Sequence, residues 1–422
     1  MEHYTQMKKS GVTWVQEIPV NWGIRVLFQL VDQVKNKNKD LSEQNLLSLS
    51  YGKIKRKDIN NPEGLLPESF DGYNIIEAND IVLRLTDLQN DHTSLRVGQA
   101  KERGIITSAY TTLRPSGLVN PQYLYYALHA YDLIKGFYGM GSGVRQGLNY
   151  DEVKSIKIPF PPIEEQSRIV DYLDEQVIKI DSIISEAKQS IDDYKQWKNS
   201  LTFQVLKNGL HSDVPTKNSG IEWVGEIPSH WTIYPAGYLF EEVKEKNKMK
   251  LDLPPMQFKY GEIIEKKGKS AEADGETLSA YTIVAPNDVM INGLNLNYDF
   301  VTQRVAIVNK RGIITSAYLA IRPNEKIIIP RYAMYLLKSY DYKRVFHGIG
   351  SGIRKTLKFS DFRKIHLQVP QKEEQKEIVD YLDDKCKKID EVISEKEKLA
   401  EELESYKRSV IYEVVTGKRK VV

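Results

Sequence analysis

Arg103-Gly104-Ile105-Ile106-Thr107-Ser108-Ala109-Tyr110 recurs without a change as Arg311-Gly312-Ile313-Ile314-Thr315-Ser316-Ala317-Tyr318. The repeat extends outward from this octapeptide in both directions. Upstream, Gly11-Val12-Thr13-Trp14-Val15-Gln16-Glu17-Ile18-Pro19 returns as Gly220-Ile221-Glu222-Trp223-Val224-Gly225-Glu226-Ile227-Pro228. Downstream, Gly141-Ser142-Gly143-Val144-Arg145 returns as Gly350-Ser351-Gly352-Ile353-Arg354, and Ile169-Val170-Asp171-Tyr172-Leu173-Asp174 as Ile378-Val379-Asp380-Tyr381-Leu382-Asp383. The offset is 208 or 209 residues throughout. Solenoid repeats run about 20–50 residues, so this period is too long for one. Each copy is long enough to hold its own core. The 422 residues therefore read as two copies of one domain, and as one task performed twice at a fixed separation.

Around the octapeptide, each copy reads as a mixture of strands and helices. Leu46–Gly52 and Met256–Gly261 are strands entering turns, and Asn79–Leu83 and Asn287–Ile291 are turns entering strands. Ile105–Leu113 and Ile313–Ile321 read as single strands stopped by Pro115 and Pro323. Short helices follow over Pro121–Ala130 and Pro330–Lys338, then Gly-rich loops over Gly139–Gly147 and Gly348–Lys355. This part is α+β.

The last part of each copy differs. After Pro161-Pro162 and after Pro370 a long helical pattern begins, where proline costs no hydrogen bond. Glu164-Glu165 and Glu373-Glu374 suit the positive end of such a helix. Apolar residues then recur at 3-then-4 spacing: Val170, Leu173, Val177, Ile180, Ile184, Ala187, Ile191, Tyr194, Leu201 and Val205 in the first copy, interrupted by Lys198. In the second they are Val379, Leu382, Cys386, Ile389, Ile393, Ala400, Leu403, Val410 and Val414, interrupted by Lys396 and Lys407. A sustained period of 3.5 needs a partner helix along its whole length, and these two helices are the obvious partners for each other. About 42 helical residues would form a rod of roughly 60 Å. Gly209–Ser219 reads as a polar linker.

Hydrophobic residues make up 41% of the chain and charged residues 28%, as in ordinary soluble proteins. No apolar run approaches the ~20 residues of a membrane span, and Met1–Gln6 lacks the apolar core of a signal peptide. The single cysteine, Cys386, forms no internal disulfide and no cysteine-based zinc site. The chain reads as cytoplasmic, with no membrane partner. Its net charge is +3, but 163–208 carries −3 and 371–417 carries −5, leaving +11 on the remainder. That distribution fits basic surfaces facing a polyanion.

Enzyme signatures are missing. Gly261–Ser270 has six residues between its glycines where a phosphate loop needs four. Gly139-x-Gly141-x-Gly143 follows a helix and lacks dinucleotide-binding spacing. The seven histidines form no pair at metal-ligand spacing, and neither Asn-Pro-Pro-Tyr nor Asp-Pro-Pro-Tyr occurs. No catalytic or metal-ligating residue is assigned.

What the chain offers instead is chemistry suited to nucleic acid. Tyr51, Lys53 and Arg56 sit around a strand–turn, matched by Lys259 and Tyr260. Arg84, Gln89 and Asn90 follow the next strand, matched by Asn292 and Asn295. Arg, Asn and Gln are the side chains that read base edges in pairs of hydrogen bonds. Ser142, Arg145 and Gln146, with their copies Ser351, Arg354 and Lys355, are candidates for phosphate contacts. Each site singly reads more readily as a solvated turn; their repetition across both copies shifts the balance to binding. The segments 53–72 and 84–100 differ strongly from 262–280 and 292–303, while the frame around them is nearly constant. A constant frame with divergent inserts suits two copies reading two different sequences.

The chain resembles the specificity subunit of type I restriction–modification systems. The resemblance rests on the two Trp-Val-x-Glu-Ile-Pro-x-x-Trp openings and the two Gly-Ser-Gly-[Val/Ile]-Arg loops. It also rests on Ile158-Pro159-Phe160-Pro161-Pro162-Ile163-Glu164-Glu165-Gln166 with its counterpart Val369–Gln375, and on Tyr412–Lys418. Gln371-Lys372 departs from the family's usual proline and apolar residue, which leaves the start of the second helix open. The resemblance implies a non-catalytic subunit that binds double-stranded DNA. It implies target-recognition domains over 1–160 and 220–370, and helices over 161–208 and 371–417 in an antiparallel coiled coil. The partners it implies are two methyltransferase subunits and two restriction subunits. S-adenosylmethionine would belong to the former, ATP and Mg to the latter, and no cofactor to this chain. A self-sufficient methyltransferase and a coiled-coil scaffold without a DNA role are the rival readings.

Overall fold

The octapeptide that marks the repeat turns a corner. Gly104–Ile106 is a strand, Thr107–Tyr110 is a turn closed by Tyr110 N donating to Thr107 O (3.2 Å), and Thr111–Pro115 is a second strand. The single strand expected over 105–113 is therefore two. Thr107 Oγ1 accepts from Ala109 N (3.3 Å), which gives the backbone a partner outside the ladder. The copy does the same, with Gly312–Ile314 and Leu319–Pro323 separated by a turn in which Thr315 Oγ1 accepts from Ala317 N. The strand ends at Pro115 as expected, with the proline itself the last residue of the ladder, opposite Val31.

This computed structural model describes residues 4–60, 69–91, 93–140, 147–211, 213–259, 261–267, 278–300, 303–349 and 355–421. Contacts divide the chain into two units, residues 1–188 with 398–422, and residues 189–397. In the first, Val31–Gln33, Thr111–Pro115, Ile81–Leu83 and Val97–Gln99 form an antiparallel sheet in that order. Asn74–Ile76 pairs with Gly104–Ile106, Leu47–Ser50 with Lys53–Arg56, and Gly23–Val26 with Lys157–Phe160. In the second unit, Phe240–Glu242, Leu319–Pro323, Val289–Ile291 and Val305–Ile307 repeat the sheet order. The hairpin returns as Met256–Lys259 with Glu262–Glu265.

Both faces of each sheet are covered, and the two-residue alternation of a strand decides which side chain faces which layer. Ile81 and Leu83 join the main core with Tyr123, Leu124, Ala127 and Leu128; Val82 points the other way, to Leu47, Leu49, Ile76 and Ile106. Four helices matter below: α1 (Pro121–Leu133), α2 (Ile163–Asn208), α3 (Pro330–Tyr342) and α4 (Lys372–Val415). The second long helix starts at Lys372, 209 residues after Ile163, so the departure at Gln371-Lys372 leaves its register unchanged.

The long helices are fastened by the residues of the Glu-Glu-Gln motif. Gln166 is fully buried; its Oε1 accepts from Asn120 N (2.9 Å) and its Nε2 donates to Pro161 O (2.9 Å). Gln375 accepts from Ile329 N (2.7 Å) and donates to the carbonyls of Ile327 and Pro370 (2.9 Å each). Tyr126 donates to Asp174 (2.5 Å), and Tyr335 to Asp383 (2.7 Å).

Within each unit the α2 and α4 segments run antiparallel. In the first, Tyr172 meets Arg419 and Asp181 meets Lys407 (2.7 Å). In the second, Lys195 meets Glu397, Lys198 meets Asp390 (2.6 Å) and Thr202 meets Cys386. The buried positions are Val170, Leu173, Ile180, Ile184 and Val410 in the first unit, and Ile191, Val379, Leu382, Ile389 and Ile393 in the second. Val177 and Leu403 are half-buried. The lysines that break the heptads at 198 and 407 make the same cross-helix ion pair in each unit.

Candidate nucleic-acid interface

In each unit the third strand of the sheet runs into an eight-residue loop, 84–91 or 292–299. The loop closes on the next strand: Arg84 N donates to Arg96 O (2.9 Å), and Asn292 N to Arg304 O (2.7 Å). Buried Leu88 and Leu296 pin its middle. Asp87 and Asn295 hold left-handed backbone, at φ 57° and 52°. Asp and Asn tolerate that region better than other side chains. One turn then closes through Asp91 N to Asp87 O (3.2 Å), and its copy through Asp299 N to Asn295 O (3.1 Å).

Each loop surrounds a fully buried arginine that the sequence reading did not single out. Arg96 donates to the carbonyls of Thr86 (2.9 Å), Asp87 (3.5 Å) and Asp91, and to Tyr138 Oη (3.2 Å). Arg304 donates to the carbonyls of Asn292 (2.9 Å), Leu294 (2.8 Å) and Asp299 (2.6 Å). Thr86 and Leu294 are equivalent positions, as are Asp91 and Asp299. Each arginine also faces a carboxylate, Asp91 at 3.6 Å or Asp299 at 3.5 Å. Tyr138 Oη donates to Asp91 O (3.1 Å); His347, its counterpart, donates from Nε2 to Asp299 O (3.1 Å). Behind them, Asp132 Oδ2 accepts from Arg96 N (2.6 Å) and Asp341 Oδ2 from Arg304 N (2.8 Å).

The carboxylates are tuned in opposite directions. Hydrogen bonds from the side chain and backbone of Ser94 hold Asp91 well below the usual range, with Arg96 adding to the effect. Burial pushes Asp132 and Asp341 up to about 6, against the pull of the Arg96 and Arg304 backbone hydrogen bonds.

The sequence-derived candidates fall into three groups. Arg84, Gln89 and Asn90 share the first loop, with Gln89 and Asn90 exposed; Asn90 Nδ2 donates to Asp87 Oδ1 (2.7 Å). Thr86, Asp87 and Asn90 line an open cleft with Gly147. Asn295 is exposed on the second loop, whereas Asn292 turns its Oδ1 back to accept from Leu294 N (3.2 Å). Lys355 lies beside that loop: its carbonyl accepts from Leu296 N (3.1 Å) and its Nζ reaches His347 O (3.5 Å).

The hairpins form the second group. Tyr51 is 75% exposed at a tip where it and Gly52 both have positive φ, 48° and 75°. That is the geometry of a tight two-residue hairpin turn. A side chain at Gly52 would also strike Leu95. Lys53 lies 3.9 Å from Asp181. Arg56, another candidate, is exposed and pairs with Glu102 through both Nε (2.6 Å) and Nη2. Lys259 is exposed at the end of the second hairpin. The third group, Ser142, Arg145, Gln146, Tyr260, Ser351 and Arg354, lies outside the described residues. Among the described residues no cluster of histidine, cysteine or carboxylate could hold a metal, and no helix is long and apolar enough to cross a membrane.

Residues 19–192 and 258–404 match the family described as the type I restriction modification DNA specificity domain. The chain is 25% identical over 237 residues to a Methanocaldococcus jannaschii protein carrying the name MjaX specificity subunit of a type I restriction enzyme. That match covers 53% of this chain and 54% of the relative, so the chain spans about half of its length. It is 26% identical over 330 residues to the MjaVIII type I restriction enzyme specificity subunit of the same organism, covering 73% of this chain and 72% of that one. A chain in a structure concerned with complex assembly and conformational transition of the type I R-M system is similar over 94% of this chain and 98% of its own. Its TM-score is 0.68 at 15% identity, a likeness of fold.

Proposed function

Because the chain belongs to the type I restriction modification DNA specificity family, which it matches over residues 19–192 and 258–404, we propose that it is the sequence-reading subunit of such an enzyme. Residues 1–160 read one half of a bipartite DNA site and 220–370 the other. The helices at 161–208 and 371–417 set the gap and dock two methyltransferase subunits. Two restriction subunits complete the nuclease. S-adenosylmethionine is bound by the methyltransferase, ATP and Mg by the restriction subunits. The chain itself is non-catalytic and works in the cytoplasm on double-stranded DNA.

The observation that carries this reading is the doubling of one loop cradle with different outward residues. Arg84 occupies the position of Asn292, and Asn90 that of Tyr298. Arg and Asn discriminate bases through paired hydrogen bonds, and one main-chain scaffold carries both sets. The +11 charge outside the helices supplies the sequence-independent attraction to phosphate.

The test is to express the full chain with its methyltransferase in a host lacking other methylation, and to map modified bases. A single bipartite motif with a fixed gap is expected, and none from either protein alone. Methyl transfer to DNA by this chain purified free of partners would overturn the reading, as would a contiguous motif.

A further inference from the structure

We propose that Arg96 and Arg304 are positioning residues for half-site reading, and that the exposed side chains they hold in place, Gln89 and Asn90 in one loop and Tyr298 in the other, are specificity determinants. This rests on the DNA-reading function proposed above. Neither arginine can touch DNA, since both have no exposed surface. Each spends its guanidinium on loop carbonyls, Thr86, Asp87 and Asp91 in one unit and Asn292, Leu294 and Asp299 in the other. A buried cation aimed at main-chain oxygens fixes a backbone path whatever side chains that path carries.

The positions around the arginine divide accordingly. Those that build the cradle keep their role across the duplication: buried Leu88 and Leu296, left-handed Asp87 and Asn295, the carboxylates Asp91 and Asp299, the donors Tyr138 and His347, and the backbone acceptors Asp132 and Asp341. Those that face outward do not. Asn90 is exposed, and Tyr298 at the same place in the copy is 73% exposed. A bulky aromatic left in solvent on a pinned loop is placed for a ligand rather than for the core. Pinning matters because a base pair is discriminated by hydrogen bonds of fixed direction, and a loop ordered before binding loses less entropy on contact.

Lysine keeps the charge but has no planar fork, so it cannot span three carbonyls. Arg96→Lys and Arg304→Lys, each in the full chain assembled with its methyltransferase, are read by mapping methylated genomic motifs. Arg96→Lys should raise methylation at sequences altered in one half-site by at least about ten-fold relative to the intact motif, with the other half-site unchanged; Arg304→Lys should give the reciprocal result. A purely structural role would lower methylation at all sites with the motif unchanged, and would overturn the proposal. The exchange pair Asn90→Tyr and Tyr298→Asn alters exposed side chains and, among the described residues, removes only the Asn90–Asp87 hydrogen bond from the loop, so it tests the specificity determinants even if a lysine variant fails to fold. Each should change the preferred base in its own half-site, and an unaltered motif from both refutes the assignment. Failure of the unaltered complex to give any bipartite motif would instead strike at the DNA-reading function itself.

Discussion

Acidification from pH 7 to pH 5 should stabilise the first unit through Asp132, and Asp132→Asn should remove that gain. Asp132 has no exposed surface; its Oδ2 accepts from Arg96 N at 2.6 Å, while Oδ1 has no hydrogen-bond partner among the described residues. Burial raises its pKa to about 6, against about 3.9 in an unfolded chain. A carboxyl with the higher value when folded binds its proton more tightly in the native state. Its favourable contribution is fully present below about 3.9 and is lost as pH rises through about 6. The shift of about two units corresponds to roughly 3 kcal/mol over the whole range, of which roughly 1.3 kcal/mol falls between pH 7 and pH 5.

Other groups titrate in the same window, so the informative quantity is a double difference: wild type minus Asp132→Asn, at pH 5 minus pH 7. Urea unfolding reads it directly. With a slope of about 2–3 kcal/mol per molar, the wild-type midpoint should gain roughly half a molar on the variant over this interval. The proton has a place to go on Oδ1, leaving Oδ2 to accept from Arg96, so the loop should keep its shape at pH 5. A flat double difference, or one in which wild type gains as pH rises, would refute the reasoning. It would mean that the charge on Asp132 is required by Arg96 and outweighs burial.

Gln166→Ala should destabilise the first unit by about 2–4 kcal/mol, because it strands Asn120 N–H and Pro161 C=O in the interior; a urea midpoint unchanged within error would show that the amide is not the joint. Leu173→Ala should cost about 2–5 kcal/mol, and Ile178→Ala, 68% exposed on the same helix, no more than about 0.5 kcal/mol; equal effects in thermal melts would contradict the assigned seam. Matched heptads inserted after Lys188 and after Glu397 lengthen each helix by about 10.5 Å, close to three base pairs at 3.4 Å each. The methylated motif should keep its half-sites and widen its gap, and full activity on the original gap would remove the helices as the spacing element.

The parts legible in the sequence are those whose cause is local or repeated. The heptads of α2 and α4 carry their own period, so the sequence alone places Val170, Leu173, Ile180 and Ile184 on one face. The octapeptide was legible as a repeat but not as a corner, since Ile105–Leu113 reads as one strand unless the Thr107 hydroxyl is known to engage Ala109 N. The pairing of Arg56 with Glu102 was not legible, because the two are 46 residues apart in the chain. The Glu-Glu-Gln motif marked a helix start, whereas its glutamine turns out to bind backbone in α1's approach and in the preceding prolines.

Arg96 and Arg304 escaped for a deeper reason. Their partners are carbonyl oxygens, which every residue carries, so the neighbours need not be conserved between copies for the contact to persist. A signal was nonetheless present: an arginine at the common offset of 208, Leu95-Arg96-Val97 and Gln303-Arg304-Val305, within one divergent segment and at the edge of the other. Paired with Asp132 and Asp341 at an offset of 209, that constancy amid variation is what distinguishes a residue holding main chain from one facing solvent. The same logic explains how such a loop can change what it reads. When stability is invested in backbone acceptors, in Leu88 and Leu296, and in the arginine between them, an outward position can pass from Asn90 to Tyr298 without disturbing the fold that presents it.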